Sequence, residues 1–190
     1  VETNGLIKSD GTGYAPYQGL GIGGVYGGRV SYNPAPLPYG SVYEPSSLGS
    51  GGADDYFSTG SRSAGGAIRI STTGSVQLNG SITSNGINGE AACNTRGAGG
   101  SGGSVWLESG TLSGTGSLKA NGGFGGCTAG GSGGRIAVYY TTNTNFPLTP
   151  DHLQSFSGGA SSGPGTVYVE NRSVDTIHQG KLIVDNNGQA

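Results

Sequence analysis

The chain has 190 residues, 42 of them glycine, with 11% charged residues and a formal net charge of -2. No basic patch marks a nucleic-acid binder, and no apolar run approaches the roughly 18 residues of a membrane span. Glycine far above its usual share of about 7%, beside only 32% apolar residues, argues against a thick globular core.

Residues 1–11 carry Asn4-Gly5-Leu6-Ile7-Lys8-Ser9-Asp10-Gly11, which reads as a strand closed by a turn. Residues 12–62 differ, being rich in Pro, Gly and Tyr, with Tyr14, Tyr17, Tyr26, Tyr32, Tyr39, Tyr43 and Tyr56. That length is too great for an ordinary loop. It predicts an elaborated first coil whose tyrosines pack against one flank.

Residues 63–190 repeat two phrases. The first is Gly65-Gly66-Ala67-Ile68-Arg69-Ile70, then Gly102-Gly103-Ser104-Val105-Trp106-Leu107, Gly133-Gly134-Arg135-Ile136-Ala137-Val138 and, more loosely, Gly163-Pro164-Gly165-Thr166-Val167-Tyr168-Val169. Ile68, Val105, Ile136 and Val167 are spaced by 37, 31 and 31 residues. The second phrase is Asn79-Gly80-Ser81-Ile82-Thr83-Ser84-Asn85-Gly86 and Thr115-Gly116-Ser117-Leu118-Lys119-Ala120-Asn121-Gly122, with a weaker copy at Leu153 and two more at the ends, the opening Asn4–Gly11 and the closing Gly180–Asn186. Periods of this size mark one supersecondary unit stacked on copies of itself. The glycines punctuate apolar strands of period two, unlike the even spread of a disordered chain. Residues 141–152, with Pro147 and Pro150, read as a loop inserted in the third regular coil.

Alternation assigns faces. Ile68, Val105, Ile136 and Val167 point inward, and Arg69, Trp106, Ala137 and Tyr168 point outward. Stacking sets Arg69 beside Trp106 as a cation–π neighbour. The outward group Arg69, Trp106, Tyr139 and Tyr168 is a candidate glycan-binding surface. Asp10, Asn85, Asn121 and Asp185 or Asn186 close successive second phrases, where Asn and Asp stabilise turns and stack into ladders.

The tracts at 97–103 and 130–134 invite a phosphate-loop reading. That reading needs a following helix and a lysine, and a strand follows instead. Close backbone approach, which only glycine allows, accounts for them better, including polyglycine-like segments side by side. His152 and His178 have no Ser or Cys partner at motif spacing, so no residue is assigned as catalytic. Arg69, Glu108, Glu170 and Arg135 are the only charges well placed on the repeat strands for a polysaccharide-cleaving groove. Glu44, Asp54 and Asp55 form a candidate calcium site through oxygen ligands, although acidic pairs are commoner as ordinary surface. Asn79-Gly80-Ser81 and Asn171-Arg172-Ser173 match the N-glycosylation pattern.

With these phrases in hand, Tyr39-Gly40-Ser41, Leu48-Gly49-Ser50-Gly51-Gly52, Gly65-Gly66-Ala67-Ile68-Arg69-Ile70 and Gly99-Gly100-Ser101-Gly102-Gly103-Ser104-Val105-Trp106-Leu107 with Asn121-Gly122-Gly123 resemble a glycine-rich module of large secreted and cell-surface proteins. It is found in bacterial surface and adhesin-like proteins, with similar stretches in plant glycine-rich surface proteins. The resemblance covers most of residues 1–140, implies a β-solenoid and an extracellular location, and carries no catalytic residues. The tyrosine-rich segment, the cysteines and the degenerate repeats after residue 140 depart from it.

The expectation is a single all-β domain, a parallel β-solenoid of four to five coils; an antiparallel β-sandwich or jelly roll is the alternative. The expected function is an extracellular structural or adhesive module, a stalk or a head-to-tail filament subunit. It is expected not to be an enzyme, and its partners are copies of itself, flanking modules or extracellular glycans, without nucleic acid or membrane insertion. The alternatives are a carbohydrate-binding module and a polysaccharide-degrading enzyme. Calcium is the one cofactor considered.

Cys93 lies 11 residues after Ile82, and Cys127 lies 9 after Leu118. Stacked coils bring such positions to about 5 Å between Cα atoms, which suits a disulfide and an oxidising compartment. Intact mass before and after reduction is expected to show one Cys93–Cys127 bridge. Two thiols open to alkylation without reductant would refute it.

Overall fold

A computed structural model describes residues 1–19, 24–29, 37–52, 62–89, 97–125, 130–159, 161–174 and 177–188. Cys93, Cys127, Asp54 and Asp55 lie outside these, so the disulfide and two of the calcium ligands are not described.

The strands fall where the repeated phrases place β-branched and apolar residues at alternate positions. They are β1 (Leu6–Lys8), β2 (Ala67–Ser71), β3 (Ser75–Gln77), β4 (Ser81–Thr83), β5 (Ser104–Ser113), β6 (Ser117–Lys119), β7 (Arg135–Asn143), β8 (Leu153–Gln154), β9 (Thr166–Asn171) and β10 (Lys181–Ile183). A four-stranded sheet runs β1-β4-β6-β8, and a six-stranded sheet runs β10-β9-β7-β5-β2, with β3 also on β5. Ile68, Val105, Ile136 and Val167 lie side by side in parallel register. Ile7, Ile82, Leu118 and Leu153 do the same in the smaller sheet.

The core lies between the sheets. Val105, Leu107, Ile136, Val138, Val167 and Val169 from one meet Ile82, Leu118 and Leu153 from the other, all buried. The 141–152 segment contributes Phe146, only 3% exposed. Asn143 brackets it: the Phe146 N–H donates to Asn143 Oδ1 at 2.9 Å, and Asn143 Nδ2 donates to the Phe146 carbonyl at 2.9 Å.

This architecture corrects the expected parallel β-solenoid, and the antiparallel sandwich with it. The strands divide into two separate sheets, one parallel and one mixed. Strand lengths run from two residues in β8 to ten in β5, so no uniform coil repeats. Among the described residues between β1 and β2 there is no strand. The two end copies of the second phrase part company. β1 lies parallel to β4, whereas β10 turns back antiparallel to β9. The physical reason is in the glycine tracts, which form a hydrogen-bonded layer of their own.

Successive N–H groups in these tracts point to different neighbours. Gly100 and Gly103 donate to the Ile87 and Ser84 carbonyls at 3.1 and 2.8 Å, Ser101 to Ser50 at 3.1 Å and Gly102 to Ser132 at 2.9 Å. The next tract repeats the pattern. Gly131 and Gly134 donate to Gly123 and Ala120, Ser132 to Gly24 and Gly133 to Gly163. Residues three apart share a neighbour, which is the period of a polyproline II helix. Neighbouring backbones here take the place that water holds around an isolated helix of that kind. The result is a middle layer, residues 62–66, 99–103, 130–134 and 163–165. It sits between residues 24–28 with 47–52 on one side and residues 9–13, 84–89, 120–124 and 155–158 on the other.

Glycine is required here for space. A Cβ on Gly102 would overlap the Ala120 carbonyl oxygen, and one on Gly133 the Ser155 carbonyl oxygen, yet neither glycine has a positive φ. Ladders of Asn and Asp pin the strand ends beside this layer, as expected. Asp10 Oδ1 accepts from the Asn85 N–H at 2.6 Å, Asn85 Oδ1 from Asn121 at 2.8 Å, Asn121 Oδ1 from Phe156 at 2.9 Å and Asn186 Oδ1 from Ser157 at 2.9 Å.

Gly102→Ala is therefore expected to cost about 3 kcal/mol or more, because backbone must move. Gly74→Ala, whose new Cβ meets only Thr72 Oγ1 at 3.4 Å, should stay within about 0.5 kcal/mol. Chemical denaturation of both variants checks the contrast.

Candidate functional site

Alternation along β5, β7 and β9 sends one set of side chains to the face away from the core. Register places Arg69, Trp106, Ala137 and Tyr168 in one row and Ser71, Glu108, Tyr139 and Glu170 in the next. The Arg69 guanidinium sits 3.8 Å from the Trp106 ring centroid, the pairing that stacking predicts.

The aromatic row is not an open platform. Trp106, Tyr139 and Tyr168 are only 8%, 2% and 2% exposed. They form a second buried cluster with Ala137, against which Val42 packs. Tyr43 sets its ring edge-on to Tyr168 at 4.8 Å, and His178 stacks on Tyr43 at 4.1 Å. The Tyr139 hydroxyl donates to the Tyr43 carbonyl at 2.6 Å. Of the four expected glycan contacts, only Arg69 is exposed. The tyrosine-rich segment closes over this face, and burying large aromatic area there is the stronger drive.

An ionic chain crosses the same face. Ser71 Oγ donates to Glu108 at 3.0 Å. Glu108 pairs with Arg172, whose guanidinium lies 4.3 Å from the Tyr139 centroid and 3.7 Å from Glu170. Glu170 is 2% exposed, and it accepts from the Tyr168 hydroxyl at 2.7 Å and the His178 N–H at 2.9 Å. A buried carboxylate needs such partners. Arg172 and His178 thus fasten the segment between β9 and β10 onto the sheet.

Beside this chain lies a cleft of about 410 Å³ lined by Glu44, Tyr139, Glu170, Arg172, Ile177 and His178. Glu44, the described member of the calcium set, stands there. Among the described residues no three His, Cys, Asp or Glu side chains converge on a metal-sized site. Arg135 is elsewhere, 5% exposed. Its Nε donates to the Tyr39 carbonyl at 3.0 Å and its Nη1 to Thr166 Oγ1 at 3.0 Å. Asn79 Oδ1 accepts from the Thr115 N–H at 3.3 Å, and Asn171 Oδ1 accepts from Ser173 Oγ at 2.8 Å.

Sequence reading missed Arg172, Tyr43 and His178. Arg172 had a signal, because it lies two residues past Glu170 and so on the same face. Tyr43 and His178 come from irregular segments and had none.

Burial pushes the Tyr39 hydroxyl up to about 12. It does the same to Tyr168, where the bond to Glu170 adds to the rise. Tyr26 and Tyr139 are raised chiefly by burial as well. The fold therefore favours neutral phenols, while the unfolded chain ionises near 10. The stability these rings contribute is complete below pH 10 and is lost as pH climbs from there through 12. Denaturation midpoints should fall steeply in that window, and the double variant Tyr39→Phe, Tyr168→Phe should fall less steeply. Midpoints that stay level across the window would contradict the account.

No helix among the described residues is long and apolar enough to cross a membrane. Comparison with protein-family models, curated proteins and solved structures finds no match, so the functional reading rests on this geometry.

Proposed function

We propose that the chain is an extracellular structural or adhesive module without a catalytic step of its own. The observation that carries this reading is the three-way hydrogen-bonded glycine layer. Such a layer commits many of the chain's 42 glycines to rigid backbone packing and leaves few side chains for chemistry. The spacing of Cys93 and Cys127 supports an oxidising, extracellular setting.

The polysaccharide-degrading alternative has less support. Glycoside hydrolysis uses two carboxylates in separate roles, one as acid and one as base or nucleophile. Glu108 and Glu170 both pair with Arg172, and Glu170 is also held by Tyr168 and His178.

Two measurements on the purified chain test the reading together. It should resist a broad-specificity protease far longer than Gly102→Ala, since cleavage follows the population of opened states. Incubated with a panel of polysaccharides, it should release no reducing ends. Release that Glu170→Gln abolishes would sink the proposal in favour of an enzyme.

A further inference from the structure

The outer face of the four-stranded sheet carries two columns of polar and charged side chains. Parallel register aligns Leu6, Ser81 and Ser117, and the Leu118–Leu153 pair brings His152 next to Ser117. Two residues along, Lys8, Thr83, Lys119 and Gln154 form the second column. Both columns face outward because Ile82, Leu118 and Leu153 between them point into the core.

The first column offers neutral hydrogen-bonding groups. Ser81 and Ser117 share a hydrogen bond of 3.0 Å between their hydroxyls. His152 Nδ1 lies 2.8 Å from the Gly116 carbonyl. A carbonyl only accepts, so Nδ1 carries the proton. A groove of about 460 Å³ runs along this column, lined by Ser81, Ser117, Lys119, Asp151 and His152 among others. Gly80 and Gly116 also line it, and a Cβ on either would strike backbone.

The second column is cationic. The chain has three lysines, and two of them flank Thr83 in register. Lys8 lies 3.7 Å from Asp10, and Lys119 has no ion pair among the described residues. Between them Thr83 is 8% exposed, and its Oγ1 is buried without a hydrogen-bond partner. A buried hydroxyl without a partner is costly, and this one lies in register between two lysines, where an acceptor carried by a ligand would satisfy it.

We propose that this face binds an extended acidic polysaccharide lying across the strands, with carboxylates against Lys119 and Lys8 and hydroxyls along Ser81 and Ser117. Strands about 4.8 Å apart repeat their side chains at roughly the length of one sugar in an extended chain. The ligand must be anionic because the column is cationic within a protein of net charge -2. That overall charge gives no general attraction for polyanions, so the selectivity is local. The inference extends the adhesive part of the function proposed above and names its partner.

Titration of the full chain with polygalacturonate oligomers, beside neutral cello-oligosaccharides and dextran sulfate, is the test. Polygalacturonate should bind, more weakly as salt is raised, and neutral oligomers should not. Lys119→Gln should weaken binding about fivefold or more. Thr83→Val should also weaken it while leaving the denaturation midpoint level or higher, since the hydroxyl it removes has no partner. Arg69→Gln, on the other sheet, should change nothing. Absence of polygalacturonate binding, equal binding by neutral oligomers, binding of dextran sulfate alone, or unchanged affinity in Lys119→Gln would each overturn the proposal. These results are independent of protease resistance and reducing-end release, so the site fails or stands separately from the structural reading.

Discussion

Backbone packing without side chains is the constraint on which the fold depends. In a β-ladder each strand bonds two neighbours in one plane. In the tracts at 99–103 and 130–134 the donors of each segment alone reach three, because they rotate by a third of a turn per residue. That arrangement is closed to any residue with a Cβ at the contact points, as Gly102 and Gly133 show. The serines within the tracts occupy the directions left open and bond there. Ser101 Oγ accepts from the Ser50 N–H at 2.9 Å, and Ser132 Oγ accepts from the Tyr26 N–H at 2.9 Å.

The rest of the molecule is set by this layer. Each tract leads directly into a strand of the larger sheet: 62–66 into β2, 99–103 into β5, 130–134 into β7 and 163–165 into β9. The register of the tracts is therefore the register of the sheet. A slip of one residue would turn every core side chain to the wrong face and drive Cβ atoms into carbonyls as well. Residues 24–28 and 47–52 pack on the tracts, and the chain between 42 and 44 is thereby carried over Trp106, Tyr139 and Tyr168. The buried aromatic cluster and its ionic chain through Arg172 follow from that placement.

Much of this was legible in the sequence. The two phrases gave the pairing of Ile68 with Val105 and of Ile82 with Leu118, and alternation separated Ile68 from Arg69. The Asn85–Asn121 ladder and the close approach of the glycine tracts could also be read. The overall class could not, because turn glycine and layer glycine look alike in one dimension. Their difference is which carbonyl each N–H reaches, a long-range fact. The same limit hid the cover over Tyr168. Residues 42–44 carry no periodic pattern, and nothing local says that Tyr43 will meet His178, 135 residues later. Lys8, Thr83 and Lys119 hold the same place in copies of the second phrase, so their alignment could be read, but that the Thr83 hydroxyl would be buried without a partner could not.

The central claim is that the donors of a glycine tract reach three different backbones in a three-residue cycle. Scalar couplings across hydrogen bonds, measured by nuclear magnetic resonance on labelled protein, identify the acceptor of each N–H directly. The account predicts Gly131 coupled to Gly123, Ser132 to Gly24, Gly133 to Gly163 and Gly134 to Ala120. Couplings that alternate between only two neighbouring segments, as in an ordinary β-strand, would contradict it.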